Sequence, residues 1–395
     1  MDLLELMARA PGAQAVLDAL AGEPGVHVVG GAVRDALLGR VPRELDVVVE
    51  GDAVAVARRA AGRLGGELVV HDRFGTAVVR SEAATFDVVT ARTETYAEPG
   101  ALPEVRHGAT IEEDLARRDF TVNAIALRIA DGVIAEWPGA RADLAAGVLR
   151  VLHERSFEDD PTRLLRMARY GARLGFEPDP DTDALAAAAT VETVSGGRLG
   201  SELRLLLREL QPAALLALER HGLGRAVVHP GFAVRARYVT AALDLCPPDA
   251  RADLVALATT VPGAPSLQEA LDRLEFDAAS RGIVLKAAEG AQALSGYLEQ
   301  QGLSDADLWR ALRGKTPEAV AAAGALGAGA AAAERWLTDV RRRRLAITGD
   351  DFVAAGLAGP AVGDALEAAQ LAALAGEAPG AEEQLAAGLA AVRPS

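Results

Sequence analysis

Three carboxylates near the start of the chain have the types and spacing that metal-assisted phosphoryl transfer requires. Glu44 and Asp46 lie two residues apart in RELDVVVEGDA, so a strand would point both side chains to one face. Asp87 lies in a second strand-like run, TFDVVTAR. Adjacent carboxylates repel one another unless a cation lies between them. Mg²⁺ takes one or two carboxylates and fills its shell with water and phosphate oxygens, so the pattern predicts a two-metal site held by Glu44 and Asp46.

A glycine pair precedes these acids and offers room for a phosphate group. In VVGGAVRDALLGR a predicted strand runs into Gly30 and Gly31 and then into a helix. Glycine lets the backbone approach a bound group, and a helix N-terminus favours an anion. A tight turn needs glycine for its geometry too, and the three acids could be solvent-facing residues on a half-buried sheet. The combination of acids and glycines favours the metal site.

Short valine-rich runs predict the strands that position these residues. The runs are β-branched and bounded by Gly, Asp or Arg, at residues 26–29, 45–49, 68–70, 77–80 and 86–90. A further strand pair is predicted at 122–128 and 133–136. Helices are predicted at 32–38 and 53–64, with glycines after each end. The front of the chain is therefore a mixed α/β region.

Helical periodicity replaces the strand pattern from about residue 156. The apolar stripe of the first helix consists of Leu164, Leu165, Ala168, Ala172 and Leu174. Amphipathic segments follow at 199–210, 213–219, 251–257, 305–312 and 363–374, and the Ala/Gly-rich residues 319–333 predict a helix or a flexible connection. The fold class is α+β, with a mixed front and an all-α rear.

Composition narrows the class of protein further. The chain has 395 residues, half of them apolar, which suffices for two or more domains. A single cysteine, Cys246, excludes an intramolecular disulfide framework and a Cys-rich zinc site. Because the N-terminus is acidic and no run resembles a membrane span, we expect a cytoplasmic protein without a membrane partner. His71 and Asp72 lack a further His/Asp cluster, so we assign them no metal.

Charge leaves one candidate surface for a polyanion. The net charge of −15 argues against general polyanion binding. One basic cluster stands out, formed by Arg335, Arg341, Arg342, Arg343 and Arg344. It is either a solvated helix end or a surface for RNA phosphates.

Five motifs occur in the order found in the class II tRNA nucleotidyltransferases, and the sequence resembles that family. They are GGAVRD, ELD, FDVVTARTETY, RRDFTVNA and EDDPTRLLRMARYGARLGF. The family comprises CCA-adding enzymes and their CC-adding, A-adding and bacterial poly(A) polymerase relatives. The resemblance is dense over residues 26–210, and residues 347–366 are similar to the family's C-terminal helical segment. It implies a polymerase-β-like nucleotidyltransferase head at 1–150, a helical neck at 151–225, and a tRNA-binding body and tail at 226–395.

The resemblance also implies roles for single residues of the head. Gly30, Gly31 and Arg34 would bind the nucleotide triphosphate, while Glu44 and Asp46 would hold Mg²⁺ with Asp87 as the third acid. The family usually has aspartate at the position of Glu44. The longer arm of glutamate puts the metal position, and hence rate or metal preference, in question.

A second motif of the family supports the nucleotide and joins head to neck. It is matched here by Arg118, Asp119 and Asn123, together with Arg117. Interdomain salt bridges are an equally good interpretation of Arg118 and Asp119.

The last motif carries the pair that reads the incoming base, matched by Asp160 and Arg163. An acceptor carboxylate beside a donor guanidinium can pair with the edge of cytosine or adenine. Asp160 followed by proline is also a common helix start, with Asp as N-cap and Arg163 on the same face. Arg166 and Arg169, one and two turns later, would support the pair or contact phosphates.

The activity implied is template-independent, metal-dependent addition of CMP or AMP, from CTP or ATP, to the 3′ end of tRNA. A poly(A) polymerase acting on many RNAs is the nearer alternative. A non-catalytic RNA-binding protein with a degenerate head is the more distant one, and Glu44 is its only hint. Full CCA, CC-only and A-only enzymes share these motifs and differ in loop and neck details, here residues 96–114, so the sequence does not assign the nucleotides added. It does not assign protein partners either.

Overall fold

The chain forms two compact units, Met1–Ser195 and Gly196–Ser395. A computed structural model describes residues 2–71 and 75–392. The described strands all lie in the first unit, and the second unit is helical throughout its described residues. The α+β class is confirmed. The boundaries expected at residues 150 and 225 stay predictions.

A seven-stranded mixed sheet forms the centre of the first unit, in the order β3-β4-β5-β2-β1-β8-β9. Strands β2 and β5 are parallel, and the other neighbours are antiparallel. Two small two-stranded sheets accompany it, β6-β7 and β10-β11. The strands are β1 Val26–Val29, β2 Asp46–Val49, β3 Glu67–His71, β4 Thr76–Arg80, β5 Thr85–Thr90, β6 Arg92–Thr95, β7 Glu104–His107, β8 Ile125–Arg128, β9 Ile134–Glu136, β10 Val148–Leu149 and β11 Glu177–Pro178.

The register of the central strands determines which side chains meet at the sheet end. Val29 of β1 lies opposite Asp46 of β2, and Val47 of β2 pairs with Val88 of the parallel strand β5. One residue earlier, Asp46 therefore lies beside Asp87. The chain leaves β1 directly into Gly30, so the glycine turn and both aspartates share one end of three adjacent strands.

Nine helices of the described residues surround this sheet and continue to the end of the first unit. They are α1 Leu3–Met7, α2 Ala13–Leu20, α3 Gly31–Leu37, α4 Ala53–Leu64, α5 Ile111–Ala116, α6 Ala140–Ala146, α7 Ser156–Asp159, α8 Arg163–Leu174 and α9 Pro180–Ala188. The predicted glycine stops are confirmed, because Gly39 has φ 74° after α3 and Gly65 has φ 59° as the C-cap of α4. Only glycine adopts that region without strain.

The strand predicted at residues 122–128 begins later in the structure. Residues Thr121–Asn123 form a 3₁₀ turn, and strand β8 starts at Ile125. The amide of Asn123 donates to the carbonyl of Phe120, and that of Ala124 to Thr121. These local bonds replace the ladder that the apolar sequence pattern suggested.

One apolar core of the first unit lies against one face of the sheet. Val29, Val48 and Ala126 from the strands pack with Ile111 and Leu115 of α5, and all five are buried. Helix α5 is fixed at its start by a capping box, which satisfies two backbone donors that a helix end leaves free.

The second unit is a set of helices, and its described residues include two apolar cores in the later helices. Its helices are α10 Gly196–Leu207, α11 Pro212–Glu219, α12 Leu223–Val227, α13 Ala236–Leu245, α14 Ala252–Thr260, α15 Leu267–Arg273, α16 Ala278–Leu298, α17 Asp305–Leu312, α18 Pro317–Leu326, α19 Ala330–Thr338, α20 Gly349–Ala354, α21 Pro360–Leu374 and α22 Ala381–Val392. The larger core includes Leu298, Val320 and Trp336, and the C-terminal one is built on Phe352. Among the described residues, no helix combines the length and apolarity needed to cross a membrane.

Candidate active site

The three predicted acids line one cavity of about 250 Å³ at the end of the central strands. Asp46 opens β2 and Asp87 lies in β5, as predicted. Glu44 does not lie on the strand, because β2 begins two residues later and Glu44 belongs to the connecting segment. Its exposed side chain nevertheless reaches the same cavity wall as Asp46.

Asp46 is a carboxylate crowded by other acids. Its side chain is exposed, yet the protein atoms around it displace enough water to raise its pKa above the ordinary value of 3.8. The negative charges of Glu44 and Asp87 raise the pKa further, and the Arg118 guanidinium partly opposes them. A bound cation would relieve this repulsion.

The donor set fits a hard divalent cation that brings most of its own ligands. In residues 2–71 and 75–392, no group of three or more His, Cys, Asp or Glu side chains could hold a metal ion by itself. Mg²⁺ does not require such a group, since it retains water and substrate phosphate oxygens around one or two carboxylates. Glu44 and Asp46 can supply that pair.

The backbone of the glycine turn next to the acids lies very close to the side chain of Arg118. Gly30 has φ 66° and ψ −126°, a conformation that residues with a Cβ rarely adopt. A Cβ at Gly30 would lie 2.8 Å from Nη1 of Arg118. The turn therefore requires glycine both for its backbone and for the guanidinium that lies against it.

Arg34 lies behind this turn in a buried hydrogen-bond network. It is only 2% exposed and its Nη1 donates to Oδ1 of Asn123 at 2.5 Å. Its Nε and Nη2 both donate to Oδ1 of Asp35, at 2.9 and 2.8 Å. Asn123 in turn donates to Asp119 at 3.0 Å. The structure thus brings together three of the predicted nucleotide-binding residues, with Asn123 as the link between Arg34 and Asp119.

Asp114 is a site residue that the motif comparison did not assign. It is fully buried, and its two oxygens accept from Arg117 at 2.8 Å and from Arg118 at 3.0 Å. Burial alone would raise the pKa of Asp114, but the two guanidinium groups outweigh it and hold the pKa below 3.8. Arg118 therefore forms its salt bridge within the head, where it lies against Gly30.

Hydrogen bonds hold Asp160 and Arg163, the predicted base-reading pair, and their partners include residues to which the sequence analysis gave no role. Arg163 is 3% exposed; its Nη1 donates to Oγ of Ser156 at 2.5 Å, and its Nη2 to the carbonyl of Arg117 at 2.8 Å. Asp160 accepts from the amide of Thr162 at 3.1 Å and from its hydroxyl at 2.7 Å. Ser156 lies outside the quoted motifs, and Thr162 lies within EDDPTRLLRMARYGARLGF but was given no role.

Asp160 makes the predicted capping contact at the turn that leads into α8, because its carboxylate accepts from the amide of Thr162 and its carbonyl from the amide of Arg163, although α8 itself begins only at Arg163. Asp160 is the C-cap of the short helix α7, with extended backbone at φ −136°, and Thr162 is the N-cap of α8. The two residues after Asp160 form a turn between the helices. Asp160 and Arg163 are consequently presented by a junction between two helices and not by one helix face.

Tyr96 lies beside this pair and was not predicted as a site residue. Burial raises its pKa to about 12, helped by Glu94 and Asp160 and opposed by Arg163. Its hydroxyl donates to Oε2 of Glu94 at 3.1 Å, and the other oxygen of Glu94 accepts from Arg117 at 3.0 Å. The sequence signal was present, because both residues belong to the motif FDVVTARTETY.

The two later arginines of α8 lie near the same network. Arg166 is 3.8 Å from the carboxylate of Asp119. The guanidinium of Arg169 lies 4.7 Å from the ring centroid of Tyr170, which Arg34 approaches from 5.5 Å. Cations over an aromatic face are attracted by its quadrupole. The supporting role predicted for Arg166 and Arg169 is compatible with these contacts.

A second cavity, of about 340 Å³, meets the same acidic wall and is rich in arginine. Arg43, Glu44 and Asp46 line both cavities. The second cavity adds Gly31 and a set of charged side chains, Arg34, Asp35, Arg40 and Arg173. Its arginines can neutralise a polyphosphate next to the carboxylates.

The arginine cluster of the second unit is largely paired with acids. Arg341 and Arg342 contact Asp249, at 2.6 and 3.4 Å. Arg335 and Arg343 both contact Asp305, at 3.1 and 3.0 Å, and Arg343 also contacts Asp339. Arg344 donates to a backbone carbonyl at 3.0 Å. The role of this cluster in RNA binding stays a prediction.

The dipeptide His71–Asp72, to which we assigned no metal, falls at the edge of the described chain. Strand β3 ends at His71. Asp72 lies outside the described residues.

Comparison with known proteins agrees with this geometry. Residues 26–150 match the model of the Poly A polymerase head domain. The chain is 43% identical over 199 residues to an A-adding tRNA nucleotidyltransferase of Halalkalibacterium halodurans, covering 48% of this chain and 46% of that protein. It is 40% identical over 209 residues to a CC-adding tRNA nucleotidyltransferase of Deinococcus radiodurans, covering 52% and 55%. These alignments span about half the length of each relative.

The fold is similar to a solved structure over its whole length. An apo form of a CCA-adding enzyme superposes with a TM-score of 0.81 and 27% sequence identity, over 99% of both chains. The likeness therefore extends through the helical second unit, beyond the stretch that the curated relatives cover.

Proposed function

We propose that the chain is a class II tRNA nucleotidyltransferase and that it transfers CMP or AMP from CTP or ATP to the 3′ end of tRNA, releasing pyrophosphate. The observation that carries the proposal is the position of Asp46, beside Asp87 and Glu44 and next to the Gly30 turn. Relatives of this family generally use divalent metals.

We assign the metal site to Glu44 and Asp46, with Asp87 as the third acid and Mg²⁺ as the ion. Bound Mg²⁺ would lower the pKa of the attacking hydroxyl and neutralise charge on the leaving pyrophosphate. The raised pKa of Asp46 supports this assignment, because Glu44 and Asp87 add negative charge around it and the Arg118 guanidinium opposes them only in part. The protein's own contribution is to hold both substrates in line.

The arginine-rich cavity is the proposed place of the triphosphate. Arg40, Arg43 and Arg173 line it beside the acids, and Gly31 leaves the backbone open there. Arg34 also lines this cavity, but its hydrogen bonds to Asn123 and Asp35 make it a positioning residue. It would hold the turn and add positive charge behind it.

The choice of nucleotide is assigned to Asp160 and Arg163. A carboxylate acceptor and a guanidinium donor can satisfy the edge of either cytosine or adenine, so side chains replace a template base. The bonds of Arg163 to Ser156 and to the Arg117 carbonyl support this role, since a reading residue has to be held still.

Pyrophosphate release tests the reaction class directly. With Mg²⁺, CTP or ATP and a tRNA lacking its 3′ end, we expect release that depends on both metal and tRNA. Asp87→Asn should lower the rate at least about a hundredfold. The matched control is Glu82→Gln, an exposed acid in the β4–β5 turn, which should retain the rate. Equal rates for the two variants would contradict the assignment of the third acid.

A poly(A) polymerase would perform the same chemistry on other RNAs. Long A-tails on an RNA unrelated to tRNA would identify that activity. The names of the relatives, which act on tRNA, favour the tRNA assignment.

A further inference from the structure

Glu50 is a carboxylate of the head to which neither the sequence motifs nor the proposed reaction gives a role. It directly follows strand β2, and its side chain is 32% exposed. Its Oε1 accepts from the backbone amide of Ile111, the first residue of α5, at 2.8 Å. Its Oε2 accepts from Nε2 of His27 in β1 at 3.0 Å, because a carboxylate has no proton to donate. One side chain therefore joins α5 to both central strands.

His27 holds the Glu50 carboxylate in place. It is only 3% exposed, and it lies opposite Val48 in the strand register, on the sheet face that packs against α5. Its Nδ1 is buried and has no hydrogen-bond partner among the residues that the structure describes. A buried imidazole cannot turn to solvent for a different partner, so its bond to Glu50 fixes the direction of the carboxylate.

Strand β2 and helix α5 run beside each other in opposite directions. Asp46 opens β2 and Glu50 follows its end, about 13 Å away at the usual rise of a strand. Residues 111–118 form a largely helical segment about 10 Å long. Its start, Ile111, lies at the Glu50 end, and its last residue, Arg118, lies against Gly30 at the Asp46 end. The contact of Glu50 with α5 and the contact of Arg118 with the site are thus at opposite ends of the same two elements.

The bond to Glu50 determines where α5 lies along β2. Val48 packs with Ile111 in an apolar core, and apolar contact has no preferred direction. A hydrogen bond requires a defined distance and angle, so the bond from the Ile111 amide to Glu50 selects one position of the helix. Asp114, fully buried on the same helix, passes this position to Arg118 through a salt bridge of 3.0 Å.

We propose that Glu50, supported by His27, is a positioning residue that sets where Arg118 lies beside the Gly30 turn and Asp46. The inference rests on the proposed function, in which that turn and Asp46 meet the nucleotide and its metal. The charge of Arg118 opposes the acids around Asp46, so a shift of its guanidinium changes the electrostatic field there. Glu50 acts from the far end of the strand and contacts no substrate.

Removal of the carboxylate tests this role. Glu50→Ala leaves the Ile111 amide without its partner, so we expect kcat/KM for the nucleotide that the wild type adds to fall about tenfold. The Kd for CTP and ATP, measured by equilibrium dialysis with Mg²⁺ and without RNA, should rise severalfold, while the KM for tRNA stays within about twofold. Glu50→Gln keeps an oxygen acceptor for the amide and should restore most of the lost kcat/KM.

The matched control is Glu113→Ala on the same helix. Glu113 is exposed, and its carboxylate accepts from the Thr110 amide at 2.9 Å in the capping box of α5. The variant also removes a hydrogen bond at the start of α5, but it leaves the bond between Ile111 and Glu50. We expect a lower Tm, with kcat/KM and Kd within about twofold of the wild type. Equal losses of both constants in Glu113→Ala and Glu50→Ala would overturn the proposal, because Glu50 would then only stabilise the helix.

A double-mutant cycle tests whether Glu50 acts through Arg118. In Arg118→Lys the guanidinium that α5 positions is already absent. Adding Glu50→Ala to this variant should therefore lower kcat/KM further by less than about twofold. The same loss of about tenfold with and without Arg118→Lys would contradict action through Arg118.

The proposed function and the positioning role can fail separately. A wild type that binds CTP or ATP but adds no nucleotide to tRNA refutes the proposed function, while the Kd values of the Glu50 variants still test the positioning role. An active wild type, together with a Glu50→Ala variant of normal kcat/KM and Kd, refutes the positioning role alone.

A second variant decides the matter if Glu50→Ala does not fold. Glu50→Asp keeps the charge and shortens the arm by one methylene, so the carboxylate no longer reaches both partners at their present distances. A severalfold loss of kcat/KM and of nucleotide affinity in this variant supports the proposal. Normal constants in folded Glu50→Asp overturn it.

Discussion

Asp46 of β2 lies beside Asp87 of the parallel strand β5, one residue before the pair formed by Val47 and Val88. The backbone register of the two strands thus places the two carboxylates side by side. Many ladder hydrogen bonds determine that register, so no local turn has to bring the carboxylates together. On its other side, β2 pairs Asp46 with Val29 of β1. The Gly30 turn, which follows Val29, therefore lies at the same end of the sheet as the two carboxylates.

Asp46→Asn should abolish nucleotide addition and slightly stabilise the protein. Without the carboxylate, the rate should fall at least about a hundredfold, while tRNA affinity changes little. The folded-state pKa of Asp46 is raised, so its ionised form costs folding free energy at pH 7 and not below the unfolded pKa. We expect a small rise of the Tm at pH 7 and no change near pH 3. A lower Tm at pH 7 would mean that Asp46 is a structural residue.

Glu44→Asp should change the metal dependence more than the fold. Glu44 is exposed and precedes the strand, so shortening its arm by one methylene removes little packing. We expect a severalfold change in the Mg²⁺ concentration that gives half-maximal rate, with a Tm within about 1 °C of the wild type. An unchanged Mg²⁺ dependence would indicate that Glu44 is not a ligand.

Ser156→Ala should blunt the choice between CTP and ATP. The variant removes the hydroxyl that accepts from Nη1 of Arg163, so the guanidinium loses one of its two supports. We expect the ratio of kcat/KM for the preferred and the other nucleotide to fall about tenfold. Ser201→Ala, an exposed serine of α10, is the control and should leave the ratio unchanged. Loss of rate with an unchanged ratio would contradict a reading role for Arg163.

Asp114→Asn should destabilise the protein in a pH-dependent way. The variant leaves Arg118 without its buried counter-charge and Arg117 with Glu94 alone, which costs about 3 kcal/mol of unfolding free energy at pH 7. The folded-state pKa of Asp114 lies below 3.8, so its stabilisation is present above the unfolded pKa and is lost as the pH falls through the folded value. Denaturant unfolding at pH 7 and near pH 3 should show a gap between wild type and variant that narrows at acid pH. A constant gap would exclude ionisation as the cause.

The arginine cluster makes a separate prediction about RNA binding. If Arg342 and Arg344 contact phosphates, removing both should lower the slope of log K against log salt by roughly 1.4 to 1.8. Asp249→Asn should act in the opposite direction, because Asp249 now pairs with Arg341 and Arg342. Filter binding of tRNA between 50 and 200 mM salt measures both. Identical slopes for all variants would leave the cluster as a network of surface ion pairs.

The sequence predicted the sheet well because its signals were local. Valine-rich runs and glycine stops gave the central strands and helices α3 and α4 to within one or two residues. The error at Thr121–Asn123 has a physical cause, since an apolar run next to Asn123 formed a 3₁₀ turn that holds the Asn side chain toward Arg34. Periodicity does not encode such a tertiary bond.

The sequence named candidate site residues only where residue type, spacing or a motif marked them. Asp46, Asp87 and Gly30 were predicted from their types and spacing, and Arg163 from its motif. Their supports were not: Asp114 and Ser156 bind arginines four and seven residues further along the chain, and Tyr96 lies beside Asp160 and Arg163, which are distant in sequence. Register, burial and side-chain hydrogen bonds across elements are products of the folded chain, so they become visible only in the structure.

Incubation with three tRNAs, ending before CCA, after the first C and after CC, tests the central claim most directly. Each receives Mg²⁺ with labelled CTP or ATP, and the products are sized on a denaturing gel. We expect the tRNA 3′ end to grow one nucleotide at a time, to stop at or before CCA, and to remain unextended with Asp46→Asn. Growth by C, C and A identifies a full CCA-adding enzyme, and a stop after CC or addition of A alone identifies a partial one. Absence of any incorporation by folded protein would contradict the account and make Glu44 the first residue to change to aspartate.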